Sequence, residues 1–382
     1  MDFTYSDEQR MLADSLRRLL DDQWTFARRR QRRTAPAPDP ALWRALAELG
    51  VLGLCLPPEA GGFGEPPASL LPVHRELGRA LVDEPVIPVV MAATALQACA
   101  DQAGAALAQD WLPRLAAGEA RLALAYQEPG RRYATQADGC RAEERDGGWR
   151  VRGEKHLVWH GGAAEAWLVN AVTEAGEQVL LWVPVTDGAA QRLDTPTLDG
   201  QRCARLRFAD APARLLAHGA GAEAALERAL QWGTAALCAH AAGAMERLLE
   251  ITAEYLRTRH QFGQPLAAFQ ALQHRVADML VAREMALSMA YVAAAALAED
   301  EPRERRRLLA QAKLQVGRHA RQLAQAAVQL HGGMGMTDEL EVGDYFKRLT
   351  AVDLLLGDSA TQLGLLAALA DEAALDAAQV PA

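Results

Sequence analysis

The feature that most constrains this chain is a change of texture along its length. Near the start, apolar residues recur at helical spacing, as in Met11, Leu12, Leu16, Leu19 and Leu20. Ser6 and Gln9, three apart just before that run, form the pattern of a capping box. Further helices are predicted over 41–49, closed by Gly50, and over 69–81 and 90–115. The proline-rich stretch 34–40 separates the first two, and 51–64 ends in a proline and glycine turn. From about 121 to 217 the pattern shifts. Short runs at 148–152, 166–172 and 178–185 carry β-branched and aromatic residues between Gly, Asp and Asn, the marks of strands. Helical periodicity then returns over 222–255, 269–298, 303–330, 338–348 and 359–377, with a charged connection at 299–307. Helices, then strands, then helices predict an α+β protein and not a parallel βαβ sheet.

Composition narrows the function classes. Half of the 382 residues are hydrophobic, which excludes a disordered chain. The net charge of −9 argues against a nucleic-acid binder, whose affinity comes mainly from neutralising phosphates. The basic run from Arg28 to Arg33 therefore reads as a solvated helix end. Five cysteines, an odd number with no CxxC spacing, suggest neither a disulfide framework nor a zinc site, and a cytoplasmic setting is expected. The greasy stretch 81–98 is broken by Asp83, Glu84, Pro85 and Pro88, so no membrane span is expected. His156 and His160, four apart with no third ligand nearby, read as ordinary polar positions.

Two motifs carry more information. One is Arg259-His260-Gln261-Phe262-Gly263-Gln264-Pro265-Leu266, followed by Phe269-Gln270; the other is Gln329-Leu330-His331-Gly332-Gly333-Met334-Gly335-Met336. Each joins a helix end to a glycine turn and supplies a guanidinium or an amide. That chemistry suits a phosphate-bearing ligand, because arginine forks onto phosphate and glycine lets the backbone approach closely.

These boxes, with the Pro58-Glu59-Ala60-Gly61-Gly62 turn, Glu128-Pro129-Gly130 and Gly153-Glu154-Lys155, occur in the order and spacing of the acyl-CoA dehydrogenase family, which the chain resembles over essentially its whole length. The resemblance implies an N-terminal helical domain (1–118), a middle β-barrel-like domain (119–218) and a C-terminal four-helix bundle (219–382). It also implies FAD and dehydrogenation of an acyl-CoA thioester to the 2,3-enoyl-CoA, with an electron-transfer flavoprotein as acceptor. Arg259 corresponds to a pyrophosphate ligand that reaches a neighbouring subunit's FAD, with Gln261, Phe262 and Gln270 as companions. Gln329, Gly332 and Gly333 correspond to the turn against the adenosine end.

Other positions depart from the family. Gln127 stands for a threonine at the flavin ring, Arg131-Arg132-Tyr133 for small polar residues, and Trp159 for a flavin-bonding threonine. Gly357 occupies the usual place of the catalytic glutamate, and Gly233 the alternative one. Asp358, one residue along, is the remaining candidate base and equally a helix cap. Residues serving a neighbour's cofactor are kept and those serving the chain's own flavin are altered. The chain thus resembles the small subunits of pimeloyl-CoA-type and sterol-type dehydrogenases, which implies the base-lacking partner of an α2β2 heterotetramer. The alternatives are a self-sufficient homotetramer using Asp358 and a flavin-free structural subunit.

Overall fold

The structure, a computed structural model, describes residues 4–33, 35, 37–145, 147–186, 188 and 190–378. Its helices are α1 (Asp7–Gln23), α2 (Phe26–Arg32), α3 (Pro40–Glu48), α4 (Leu70–Arg79), α5 (Val86–Ala98), α6 (Ala105–Ala116), α7 (Gly219–Thr258), α8 (Gln270–Ala296), α9 (Pro302–His331), α10 (Val342–Leu354) and α11 (Ser359–Ala378). Its strands are β1 (Leu122–Ala125), β2 (Arg141–Arg145), β3 (Gly148–Trp159), β4 (Ala166–Val172), β5 (Gln178–Pro184), β6 (Ala190–Pro196), β7 (Arg202–His218) and the short pair β8 (His260–Gln261) and β9 (Gln264–Pro265). The chain forms two compact units: Met1–Phe26, Pro67–Val82 and Thr234–Ala382 in one, Ala27–Pro66 and Asp83–Gly233 in the other. Thr34 and Pro36 of the proline-rich stretch lie outside the described residues.

In the first, helical unit the capping box forms as expected: Ser6 Oγ accepts from the Gln9 amide at 3.1 Å and the Ser6 amide donates to Gln9 Oε1 at 3.0 Å. Helices α4 and α7 touch backbone to backbone. A Cβ on Gly78 would lie 1.9 Å from the His240 carbonyl oxygen, and one on Gly243 would lie 1.8 Å from that of Arg75, so only glycine fits at either crossing point. Beside this contact Arg75 pairs with Glu246 and Arg79 with Glu250, each at 2.7 Å. Helix α9 begins at Pro302, where the Glu301 carboxylate accepts from the Arg303 amide. A proline needs no amide partner in a first turn, so the expected charged connection shortens to the residues before it. Helix α10 starts at Val342 rather than 338, because a 3-10 turn over Gly332–Met336 precedes it.

Contrary to the expectation that no segment is long and apolar enough to span a membrane, the stretches Gln270–Ala296 and Val342–Ala373 are, by length and composition. Their alanine and leucine content leaves few charges in either window. Only 39% and 28% of those windows is buried within the chain, although α8, α10 and α11 all pack on α9. Leu280, Val281 and Met285 of α8 stay exposed.

The second unit is built on a seven-stranded sheet in the order β1-β4-β2-β3-β7-β5, with β6 added on β7 and β5 also pairing β4, so that β4, β2, β3, β7 and β5 close a ring. Most ladders are antiparallel; β1 and β2 run parallel to β4. Four strands carry no sequence signal, among them the 17-residue β7, whose arginines and alanines are poor strand formers. Tertiary pairing overrides that propensity, since β7 is bonded to β3, β5 and β6. The predicted helix 90–115 is two helices. It begins earlier, because Pro85 and Pro88 lie at its start, where they are tolerated. It breaks at Gly104, whose amide donates to the Leu216 carbonyl.

The basic run is solvated at Arg28, Arg30 and Arg33 but not at Arg29. Arg29 is only 5% exposed, 2.9 Å from both Asp83 and the Asp199 carbonyl, and Arg28 pairs with Asp39 at 2.6 Å. Helix α2 is too short to stand alone, and its guanidiniums anchor it to three distant segments. Glu84 lies in the same cluster, accepting from the Asp39 amide at 2.9 Å. Burial first, then the Asp83 and Asp39 charges, pushes its carboxyl up to about 8. A carboxyl raised on folding gives stability that is complete below its unfolded value and is lost as pH rises through the folded one. Stability should therefore fall from about pH 4.5 to about pH 8, and Glu84→Gln should flatten that slope in urea titrations run across the window.

Candidate functional site

In the helical unit the first box follows the end of α7. The Arg259 amide closes the last turn on Tyr255 at 2.9 Å, and the Arg259 carbonyl accepts from Leu266 at 2.8 Å. Strands β8 and β9 pair around Phe262 and Gly263, both at positive φ (55° and 80°), the geometry of a tight hairpin turn that glycine favours and phenylalanine does not. Strain at a bulky residue collects at ligand sites. The Phe262 ring is 88% exposed, touching Phe269 edge-on at 6.0 Å.

The second box closes α9. Gly332, at φ 59°, caps the helix on the Gln329 carbonyl. Nothing lies within 4 Å of a Cβ built on Gly332 or Gly333. The fold brings the two boxes together through Tyr255 and His331, whose rings stack at 4.3 Å. His331 Nδ1 faces the Ala327 carbonyl at 2.8 Å and so carries the proton, while burial lowers its pKa and keeps the ring neutral. This stack is a structural feature beside the two boxes that the sequence did not single out. Beside it lies a cavity of about 800 Å³, lined by residues that include Glu254, Tyr255, Val276, Leu280, His331 and Leu340.

Arg259, Gln270 and Gln329 are exposed, and their side chains make no hydrogen bond or ion pair among the described residues. Gln261 reaches only the neighbouring His260 carbonyl. A guanidinium and two amides without partners, beside glycines with open space, fit the phosphates and nucleoside of a dinucleotide.

The loop between α10 and α11 is held from beneath. Lys313, 1% exposed, donates to the Gly357 carbonyl at 2.9 Å and to that of Asp353 at 3.2 Å. Asp353 accepts from Ser359 at 2.7 Å and pairs with Arg321. Gly357 sits at φ 102°, and a Cβ there would meet Gln362 Nε2 at 2.5 Å. Asp358 Oδ1 accepts from the Thr361 amide at 2.9 Å and from its hydroxyl at 2.7 Å. That is an N-cap of α11, which commits the carboxylate to the helix end. Gly233 lies within α7.

In the second unit, the positions that depart from the family are occupied from within. Gln127 donates to the Tyr126 hydroxyl at 3.1 Å, and Trp159 Nε1 donates to Gln201 at 2.5 Å. Arg131 pairs with Asp138, and Arg132 stacks over Tyr133. His156 lies in β3 and His160 just beyond it; among the described residues no group of three or more His, Cys, Asp or Glu is placed to hold a metal ion.

Two outcomes follow from the loop. Asp358→Ala should cost about 1 kcal/mol, the value of a lost cap, read in urea unfolding, with turnover unchanged. A hundredfold loss of turnover with flavin retained would make Asp358 a base instead. Gly357→Glu should cost about 1–3 kcal/mol, the strain of a side chain at that φ, and should not raise turnover.

Family models describe two parts of the chain: the acyl-CoA dehydrogenase N-terminal domain matches residues 6–119 and the C-terminal domain residues 219–370. The acyl-CoA dehydrogenase IpdE2 of Mycobacterium tuberculosis is 32% identical over 81% of this chain and 80% of its own length. Among solved structures, a variant of the Tcur3481-Tcur3483 steroid ACAD is 31% identical with a TM-score of 0.86, covering 97% of this chain and 99% of that one. A chain of the ChsE4-ChsE5 complex from Mycobacterium tuberculosis is 26% identical, also at TM-score 0.86, covering 100% of this chain and 100% of that one. With both helical segments matched and a relative above 30% identity along most of its length, the chain belongs to the acyl-CoA dehydrogenase family, an α+β family whose members bind FAD.

Proposed function

We propose that this chain is the base-lacking subunit of a heteromeric, FAD-dependent acyl-CoA dehydrogenase. The observation that carries the reading is a contrast between two sets of residues. Among the described residues the side chains of Arg259, Gln270 and Gln329 have no partner, whereas the places of the family's base and ring contacts hold Gly357, Gln127 and Trp159, the last two bonded internally. Arg259 would hold the pyrophosphate, and Gln261, Phe262 and Gln270 would flank it. Gln329, Gly332 and Gly333 would cradle the adenosine end. FAD, when bound, supplies the hydride acceptor for the substrate's C3, and the proton at C2 must go to a carboxylate that a related subunit provides.

The exposed apolar face of α8 supports a subunit contact, since uncovered apolar surface of this kind marks association. Likeness to a steroid ACAD and to the ChsE4-ChsE5 complex supports a bulky acyl-CoA as substrate and a two-chain assembly, probed best as α2β2. An electron-transfer flavoprotein is the acceptor of choice. The five unpaired cysteines suit a reducing cytoplasm.

Co-expression with and without a related subunit tests this. The lone chain should hold little flavin and show little dehydrogenation, and the complex should be yellow and active. Arg259→Ala should remove most of the flavin from the complex, read as absorbance near 450 nm per protein. Full flavin and turnover in the lone chain would refute the partner requirement. Unchanged flavin in the Arg259→Ala complex would favour a purely structural subunit.

A further inference from the structure

The sheet carries a group of cations that neither the flavin nor the base accounts for. Arg141 of β2 stands directly opposite Arg152 of β3, and Arg152 stands opposite Ala209 of β7. Paired residues share a face, as do alternate residues along a strand. Arg207, two before Ala209 and opposite Glu154, therefore joins Arg141 and Arg152 on that face. The other face sends Ala142, Val151 and Phe208 into the core. All three arginines are exposed, and none makes a hydrogen bond or ion pair among the described residues.

Like charges directly opposite each other in a ladder are destabilising. This chain has 49 acidic residues; Glu143 of β2 shares the face, opposite Arg150, while three other nearby carboxylates are committed elsewhere. Both oxygens of Glu154 are held by Arg205, Asp138 is paired with Arg131 at 3.0 Å, and Glu128 is bonded to Lys155. Arg207 reaches Glu154 only as a more distant charge. The register shifts between Val151 and Arg152, and such bulges re-aim the side chains beside them. At this shift opens a cleft of about 640 Å³, lined by Arg131, Arg152 and Arg207 together with the already committed carboxylates Glu128, Asp138 and Glu154. That volume is in the range of small-ligand sites. Diagonal cross-strand neighbours lie roughly 7–8 Å apart, a spacing from which two guanidiniums can fork onto one phosphoryl group.

We infer that Arg152 and Arg207, with Arg141 beside Arg152 on the same face, form a binding site for a phosphate-bearing anion of nucleotide type. The phosphoryl group has two candidate sources, the ribose 3′-phosphate of a coenzyme A thioester or a free nucleotide. The site does not rest on the flavin reading, because its first test contains neither flavin nor acyl chain.

The full chain is melted in pyrophosphate and in sodium chloride at matched ionic strength. Pyrophosphate should raise Tm by about 2 °C more than chloride, the size expected for an anion at roughly ten times its Kd. The double variant Arg152→Gln/Arg207→Gln should lose that increment while melting no lower than the wild type in chloride, since a repulsion has been removed. Arg192→Gln, on exposed β6, should keep the increment. Should the double variant fail to fold, Arg207→Gln alone must show at least half of the loss. An increment that survives either variant, or is absent from the wild type, overturns the site. Calorimetry then separates the sources. Coenzyme A binding about tenfold tighter than dephospho-coenzyme A in the wild type, a difference lost in the variant, identifies the 3′-phosphate. Equal binding of ADP and pyrophosphate, lost in the variant, identifies a free nucleotide. Binding of all four probes that the variant leaves intact overturns the proposal.

Discussion

The middle of the chain depends on one buried ion pair. Lys155, fully buried in β3, donates to Glu128 at 2.8 Å, to Asn170 at 2.7 Å and to the Tyr126 carbonyl at 3.2 Å. Glu128 in turn accepts from the amides of Asp138, Gly139 and Cys140. Burial pushes the Glu128 carboxyl up, but the ammonium and the amides outweigh it and hold its pKa below the usual carboxylate value. An unpaired charge in that position would cost several kcal/mol, about 3–5 when one partner is removed. The pair therefore fixes how residues 126–140 leave β1 and enter β2. It places Gln127 against Tyr126 on one side and opens the arginine-lined cleft on the other.

The two units treat the positions read against the family's flavin contacts in opposite ways. In the second unit, the side chains at the altered flavin-ring positions are satisfied internally, and Trp159 reaches only Gln201. In the helical unit, the side chains of both boxes are left exposed while the backbone beneath them is tightly held by the Tyr255 and His331 stack. A protein that leaves a guanidinium, two amides and a phenylalanine uncovered on rigid supports has surface suited to something outside itself. The base loop follows the same logic. Lys313 donates to the carbonyls of Asp353 and Gly357, and Gln362 to those of Leu356 and Gly357, so the loop is held firmly, yet the residue at its apex has no side chain.

Parts of this were legible from short-range pattern. The capping box at Ser6 and the cap at Asp358 involve residues three apart, and three strands and most helices announced themselves through periodicity within a dozen residues. The two boxes were legible because each is one turn of chain with a fixed chemistry. The reading failed where residues far apart decide the outcome. Arg29 looks solvated in sequence and is buried only because Asp83 and Asp199 come to it.

The sequence by itself determined the segregation of helices and strands, the family and the glycine at position 357, since these lie in the order and identity of residues. Only the tertiary structure decided that α1 and α4 group with the C-terminal helices, that β7 is a strand, and that Arg141, Arg152 and Arg207 share one face. The reason is physical: periodicity reports which way a side chain points relative to its own neighbours, whereas burial and cross-strand register are set by segments tens to hundreds of residues away.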